Sequence, residues 1–182
     1  MSDPISTPPH QGGKTLSFEI VPFDALHASA EEIAQYIRFV RLRDEQLWPG
    51  EPRISDAEFE HLLRRQFPVI RVVRYLAWTG EDIAGILVMD VRREGTPEYE
   101  LRAPHVSVAA WVLEAYRRQG IATALLGACA TYMKAHDKTM VTMGTSFASG
   151  TAFLERMGAR QTQQAIENRA AWADLNWEEL EL

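Results

Sequence analysis

Six consecutive residues, Arg117-Arg118-Gln119-Gly120-Ile121-Ala122, hold the chain's clearest potential for chemistry. They lie between a β-like run, Val106 to Val112, and a helix-like run, Thr123 to Ala135. The first N–H groups of a helix have no internal acceptor, and the helix dipole favours negative charge beside them. Gly120 lets a ligand reach the backbone with no Cβ in the way. Arg117 and Arg118 supply charge-assisted donors. The combination suits a pyrophosphate or a similar anion. The plainer alternative is an ordinary strand-to-helix connection with two exposed arginines.

Elements that would position this turn can be read from periodicity. Met1 to Thr15 is rich in Pro, Gly, Ser, Thr and Gln, the composition of a disordered lead-in. Leu16 to Val21 alternates as a strand stopped by Pro22. Ser29 with Glu32 forms a capping box ahead of a helix running to Leu47, and Ser55 with Glu58 caps a second, shorter helix. Val72 to Trp78 and Ile83 to Val91 read as a hairpin around Thr79-Gly80-Glu81-Asp82. Arg92 to Pro104 is polar, carries two prolines and reads as a loop. A strand from His105 to Val112 and a helix from Ile121 to Ala135 flank the basic turn. A strand over 138–144, a helix over 150–157 ended by Gly158, and two weak strands near 159–164 and 169–175 follow. Tyr116, Cys129 and Tyr132 read as core residues by their spacing.

The 182 residues suffice for one ordinary domain. A net charge of −6 speaks against a nucleic-acid or anionic-membrane binder and is compatible with a cationic amine substrate. The single cysteine excludes an internal disulfide and a cysteine-ligated zinc site, and no metal site is expected. With no membrane-length apolar stretch and no signal-peptide core, a soluble cytoplasmic protein is expected. Neither GxGxxG nor GxxxxGK[ST] follows Arg117, so the dinucleotide and nucleoside-triphosphate fingerprints are missing.

The element order together with Arg117-x-x-Gly120-x-Ala122 resembles the GCN5-related N-acetyltransferase (GNAT) family, whose motif is Gln/Arg-x-x-Gly-x-Gly/Ala. The stretch from Val112 to Leu126 is similar to the family's strand, turn and helix without a gap. Phe153 to Arg160 is similar to its last helix and closing glycine. Glu167-Asn168-Arg169 to Leu175 resembles the end of one half of tandem members such as mycothiol synthase. The resemblance implies an α/β fold: a mixed central sheet of about seven strands, about four flanking helices, and a splayed cleft between the fourth and fifth strands. It implies one such domain over residues 16–182. It further implies acetyl-CoA as cosubstrate. Its pyrophosphate would sit on the amides of Arg118, Gln119, Gly120, Ile121, Ala122 and Thr123 beside Arg117. Its pantetheine would pair with Ala110, Trp111 and Val112, whose amides are also candidate oxyanion donors. Small Ala109 and Ala110 would leave room for the acyl group.

The family's usual side-chain catalysts are missing. Leu154 stands where many members carry the tyrosine that protonates the thiolate, Phe147 where many carry an asparagine, and Val106 where a glutamate base often lies. His105 and Glu100 are the substitute proton acceptors to consider, and Ser146 and Ser149 could face the sulfur. Each is equally readable as a solvated loop residue or a helix cap. The loop with Asp44, Glu45, Trp48 and Glu51 suits a cationic amine, or is a solvated acidic loop with a packed Trp.

The implied activity is N-acyl transfer from acetyl-CoA to a primary amine by direct attack in a ternary complex. Small-molecule and protein or peptide amines both remain open, as do a monomer and a homodimer. The competing reading is a catalytically degenerate CoA-binding regulatory module.

Overall fold

The structure, a computed structural model, describes residues 17–145 and 147–164. The lead-in 1–15, Ser146 and the weak strand near 169–175 lie outside the described residues. The chain divides into two compact units between Gly144 and Thr145.

In the first unit the order is β1 (Glu19–Phe23), α1 (Ala30–Leu47), α2 (Asp56–Arg64), β2 (Ile70–Thr79), β3 (Asp82–Arg92), α3 (Tyr99–Arg102), β4 (His105–Val112), α4 (Ile121–Ala135) and β5 (Met140–Met143). The strands form one five-stranded sheet in the order β1-β2-β3-β4-β5. β1 to β4 pair antiparallel, and β5 joins β4 in parallel, so the sheet is mixed. The parallel pair requires a crossover, and α4 is that crossover.

Local chemistry accounts for most boundaries. Ser29 and Glu32 form the expected capping box: the Ser29 amide donates to Glu32 Oε2 at 2.8 Å and the Glu32 amide to Ser29 Oγ at 3.2 Å. Behind it, Ile33, Tyr36, Ile37, Phe39 and Val40 are buried. With Phe23, Leu76, Ile86 and Leu113 they form the core on one face of the sheet. On the other face α4 buries Ile121, Leu125, Cys129 and Tyr132 against Leu87, Met89, Val106 and Val108. Those four helix positions recur every three or four residues and make one apolar stripe. Tyr116 packs against both cores.

The second unit contains α5 (Ala148–Arg156). The Gly158 amide donates to Glu155 O at 2.9 Å and the Ala159 amide to Leu154 O at 3.0 Å, a Schellman ending that needs the left-handed φ of +87° at Gly158.

Four details differ from the sequence expectations. The sheet has five strands among the described residues instead of about seven. Residues 159–164 form no strand; the run Gln161-Thr162-Gln163-Gln164 is wholly polar and offers no apolar face to bury. Pro22 lies within β1 and pairs with Tyr75, which an outer strand of the described sheet tolerates because its open side needs no donor. The loop before β4 folds into the short α3, because Glu98 at φ +61° turns the chain and its carbonyl accepts from the Arg102 amide at 3.0 Å. With α3 counted there are five α-helices among the described residues, where about four were expected.

Candidate active site

β4 and β5 part company halfway along β4. Their parallel ladder runs from His105↔Met140 to Val108↔Met143, where β5 ends. β4 continues for four more residues, Ala109 to Val112, held only by β3. In an antiparallel pair successive residues turn their N–H and C=O alternately toward and away from the partner. The Leu113 amide donates to Ala84 O at 3.0 Å across the β3 side. By alternation Trp111 and Ala109 also bond to β3, while the backbone groups of Ala110 and the N–H of Val112 face the side β5 has left. Ala110 and Val112 thus present a strand edge, and Trp111 is committed to the sheet through its backbone.

The turn that follows completes the cleft. After a short 3-10 segment, Glu114–Tyr116, the Arg117 amide donates to Glu114 O at 3.2 Å. The Arg117 Nε donates to Val112 O at 3.3 Å, tying the turn to the end of β4. Arg118 and Gly120 both take left-handed φ, +65° and +85°. Gly120 is the N-cap of α4, and no side chain caps that end. The amides of Ile121, Ala122 and Thr123 therefore point out of the helix end without an intrahelical acceptor. Arg117, Arg118, Gln119 and Thr123 are exposed, whereas Ile121 is 1% exposed and anchors the turn in the core. Gln119 Nε2 reaches only its own turn, at Ala115 O, 3.5 Å.

Gly85 on β3 lies directly opposite Val112. A Cβ there would stand 3.0 Å from Trp111 O, 3.1 Å from Ile121 Cγ2 and 3.2 Å from Val112 Cγ2. This glycine brings the end of β4 and the start of α4 close together. Its signal in the sequence is a glycine inside an apolar strand, which marks a close backbone approach.

The register also assembles a polar floor on the α1 side of the sheet. One row reads Phe23, Arg74, Val88, Ala109; the next reads Val72, Asp90, Ser107, Thr142. Partial withdrawal from water pushes the Asp90 carboxyl above the usual aspartate value, against the pull of the nearby Arg74. Tyr36, 4% exposed, has its phenol pushed up by burial and lies close enough to Arg74 to feel its charge. Arg43 on α1 stacks over the Trp111 ring at 4.8 Å and pairs with Asp44 at 2.6 Å. Neither Arg74 nor Asp90 was singled out by sequence reasoning, although Asp90 is the lone charge inside the apolar run from Ile83 to Val91.

Of the residues nominated as catalytic, His105 and Glu100 belong to the first unit. His105 opens β4, five residues or about 16 Å along the strand from Ala110, and its Nε2 meets Thr142 Oγ1 at 2.9 Å. Glu100 is exposed on α3. Ser149 is exposed on α5 in the second unit, and Ser146 lies outside the described residues. Of the acidic loop, Asp44 is taken by Arg43, and Glu45 lies 4.0 Å from Arg53. Arg53 Nη2 also donates to the Asp44 and Trp48 carbonyls, at 2.9 and 2.5 Å. Among the described residues no cluster of His, Cys, Asp and Glu could hold a metal ion, and no helix is long and apolar enough to cross a membrane.

Comparison with known proteins fits this geometry. The model of a family described as the acetyltransferase (GNAT) family matches residues 35–159. No curated protein sequence matches the chain. An aminoglycoside acetyltransferase from an uncultured soil metagenomic sample, solved with sisomicin, superposes with a TM-score of 0.63 at 14% identity, over 85% of this chain and 95% of that one. A tandem GNAT protein from the clavulanic acid biosynthesis pathway superposes at 0.62 and 22% identity, over 80% of this chain but 45% of that one. A ribosomal-protein-alanine N-acetyltransferase from Brucella melitensis biovar Abortus 2308 gives 0.60 at 14% identity, over 85% and 100%. At these identities the likeness is one of fold.

Proposed function

The chain belongs to the acetyltransferase (GNAT) family, and on that premise we propose that it transfers an acetyl group from acetyl-CoA to a primary amine by direct attack in a ternary complex. The observation that carries this reading is the continuous edge from Ala110 through Val112 to the uncapped start of α4. It offers a strand edge for an extended amide-bearing arm, then a helix N-terminus and two arginines for phosphates, in that order along one cleft.

Acetyl-CoA supplies the activated acyl group; the protein supplies position and polarity. Outward amides at Ala110 and Val112 are aimed where negative charge would develop on the acyl oxygen. Ala109 and Ala110 leave space for the acyl methyl. An acceptor that arrives as an ammonium gives up one proton to become the attacking amine; as the N–C bond then forms and the C–S bond breaks, the nitrogen loses a second proton and the departing thiolate takes up one. Asp90, one row from Ala109, is a carboxylate that can draw in the ammonium and accept its proton directly or through water. Holding both reactants in the cleft supplies much of the rate even without a dedicated acid.

Thiol release from acetyl-CoA across a panel of amines tests the reading, with acetyl-CoA affinity measured in parallel by calorimetry. Turnover on at least one amine is expected. Binding without turnover on any amine would favour the regulatory CoA-binding module, and lack of binding would defeat both readings.

A further inference from the structure

The polar floor on the α1 side of the sheet carries charges of both signs that the fold leaves for a ligand. Arg74 and Asp90 sit on adjacent strands, one row apart on the same face. Such diagonal neighbours have Cβ atoms roughly 7–8 Å apart, too far for direct contact without extension, and they form no ion pair. The other arginines that reach this face have ion-pair partners: Arg43 pairs with Asp44 at 2.6 Å and stacks on the Trp111 ring, and Arg92 pairs with Glu98 at 3.3 Å, although its Nε, like that of Arg74, is enclosed without an acceptor. Arg74 has no ion-pair partner among the described residues, and its Nε is enclosed with no hydrogen-bond acceptor. Tyr36 stands beside it, and its phenol oxygen already accepts a hydrogen bond from Arg74. Arg74 and Tyr36 together form a donor pair suited to a carboxylate, whose two oxygens match the guanidinium fork.

Asp90 supplies the opposite charge. Ser107 stands beside it on β4, and Ala109 lies one row nearer the open edge. An amine held at Asp90 therefore lies next to the segment of β4 whose outward amides face the cleft.

We propose that the acceptor is an amine carrying its own carboxylate, of α-amino-acid type, with the carboxylate on Arg74 and Tyr36 and the amine held by Asp90 beside Ala109. The diagonal spacing matches a zwitterion whose two charges are separated by two bonded carbons. The inference rests on the N-acyltransferase reading and narrows its acceptor. It also gives Asp44 no part in recognition, since Arg43 neutralises it.

Three matched series of acceptors test it on the full-length protein with acetyl-CoA: free L-amino acids, the corresponding amino-acid amides, and the amines lacking the carboxyl carbon. The free acids should be acetylated with kcat/KM about 10- to 100-fold above their amides, the factor expected for hydrogen bonds to a charged group. Arg74→Gln should remove that advantage through KM, bringing the acid-to-amide ratio toward one while acetyl-CoA affinity stays at the wild-type value. Arg74→Lys, which keeps the charge and loses the fork, should restore part of it. The wild-type acid-to-amide ratio needs no variant, so a folding defect in Arg74→Gln cannot mask the answer. Equal use of acids and amides, or an equal loss for all acceptors in Arg74→Gln, would overturn the inference alone. Acetyl-CoA binding with no acetylation in any series would overturn it together with the transferase reading.

Discussion

Gly85 and Ile121 are packed so closely that a Cβ at Gly85 would lie 3.1 Å from Ile121 Cγ2, tighter than ordinary contact. The same Cβ would press on Trp111 O at 3.0 Å. The contact sets how deeply α4 seats against the end of β4, and hence where the turn holding Gly120 sits. Gly85→Ala should therefore act at two levels. Overpacking at a buried strand position costs about 1–3 kcal/mol, readable as a lower urea midpoint. Acetyl-CoA affinity should fall as well, because relief of the clash moves the Val112 edge or the start of α4. Reduced stability with wild-type affinity would show that the cleft does not depend on this contact.

Gly120 differs in kind. No heavy atom lies within 4 Å of a Cβ built there, yet its φ is +85°. Any side chain faces open space and meets only the conformational cost of left-handed backbone, about 1–2 kcal/mol. Gly120→Ala should lose that much stability and a modest part of acetyl-CoA affinity. Gly120→Glu adds a carboxylate where phosphates are proposed to lie and should abolish binding by calorimetry while circular dichroism stays near wild type. Unchanged affinity in the glutamate variant would move the pyrophosphate site elsewhere.

Cys129 reports on α4. It is 3% exposed, and burial pushes its thiol pKa up, so both access and thiolate fraction are low. A disulfide-exchange reagent such as DTNB should label the native chain only through opening of the helix. The rate should be at least about 100-fold below that in urea. Acetyl-CoA at about 100 times its Kd should slow labelling by roughly another 100-fold, because it binds only the closed form. Rapid labelling of the native protein would contradict the packing of α4 over the sheet.

The elements flanking the turn were legible in the sequence because they are local. A 3.6-residue stripe from Ile121 to Tyr132, the capping box at Ser29 and the glycine at position 158 each declare themselves within a dozen residues. The open edge was legible only in part. That Ala110 and Val112 face outward while Trp111 bonds to β3 depends on the parity of one ladder, fixed by the bond from Leu113 to Ala84. Arg74 and Asp90 were beyond reach for a similar reason. They are sixteen positions apart, and only the register of the β2–β3 hairpin, with its irregularity at Ala77 and Trp78, puts both on one face. His105 and Glu100 were nominated for their place just before β4; the register sets His105 at the end of that strand paired with β5.

Asp90→Asn separates a structural carboxylate from a functional one. Asp90 has a folded-state pKa above its ordinary value of 3.8, with desolvation as the main cause. For a raised pKa the favourable contribution is complete below the unfolded value, where both states are protonated. It is lost as pH rises through the folded value, because the folded chain must then hold a charge partly withdrawn from water, although the residue itself is exposed. At neutral pH the carboxylate should therefore weigh a little against stability, with Arg74 and solvent at this exposed position offsetting part of the effect. The asparagine variant should have a higher denaturation midpoint than wild type at pH 7. That advantage should shrink as pH falls toward 3.8 and vanish below it. Activity should move the opposite way, with kcat/KM for the amine down about 100-fold, the lower end of the usual range for losing a positioned proton acceptor. A variant more stable and less active would mark Asp90 as a group kept for the reaction at the fold's expense. A variant less stable at pH 7 with full activity would instead make Asp90 a structural partner of Arg74.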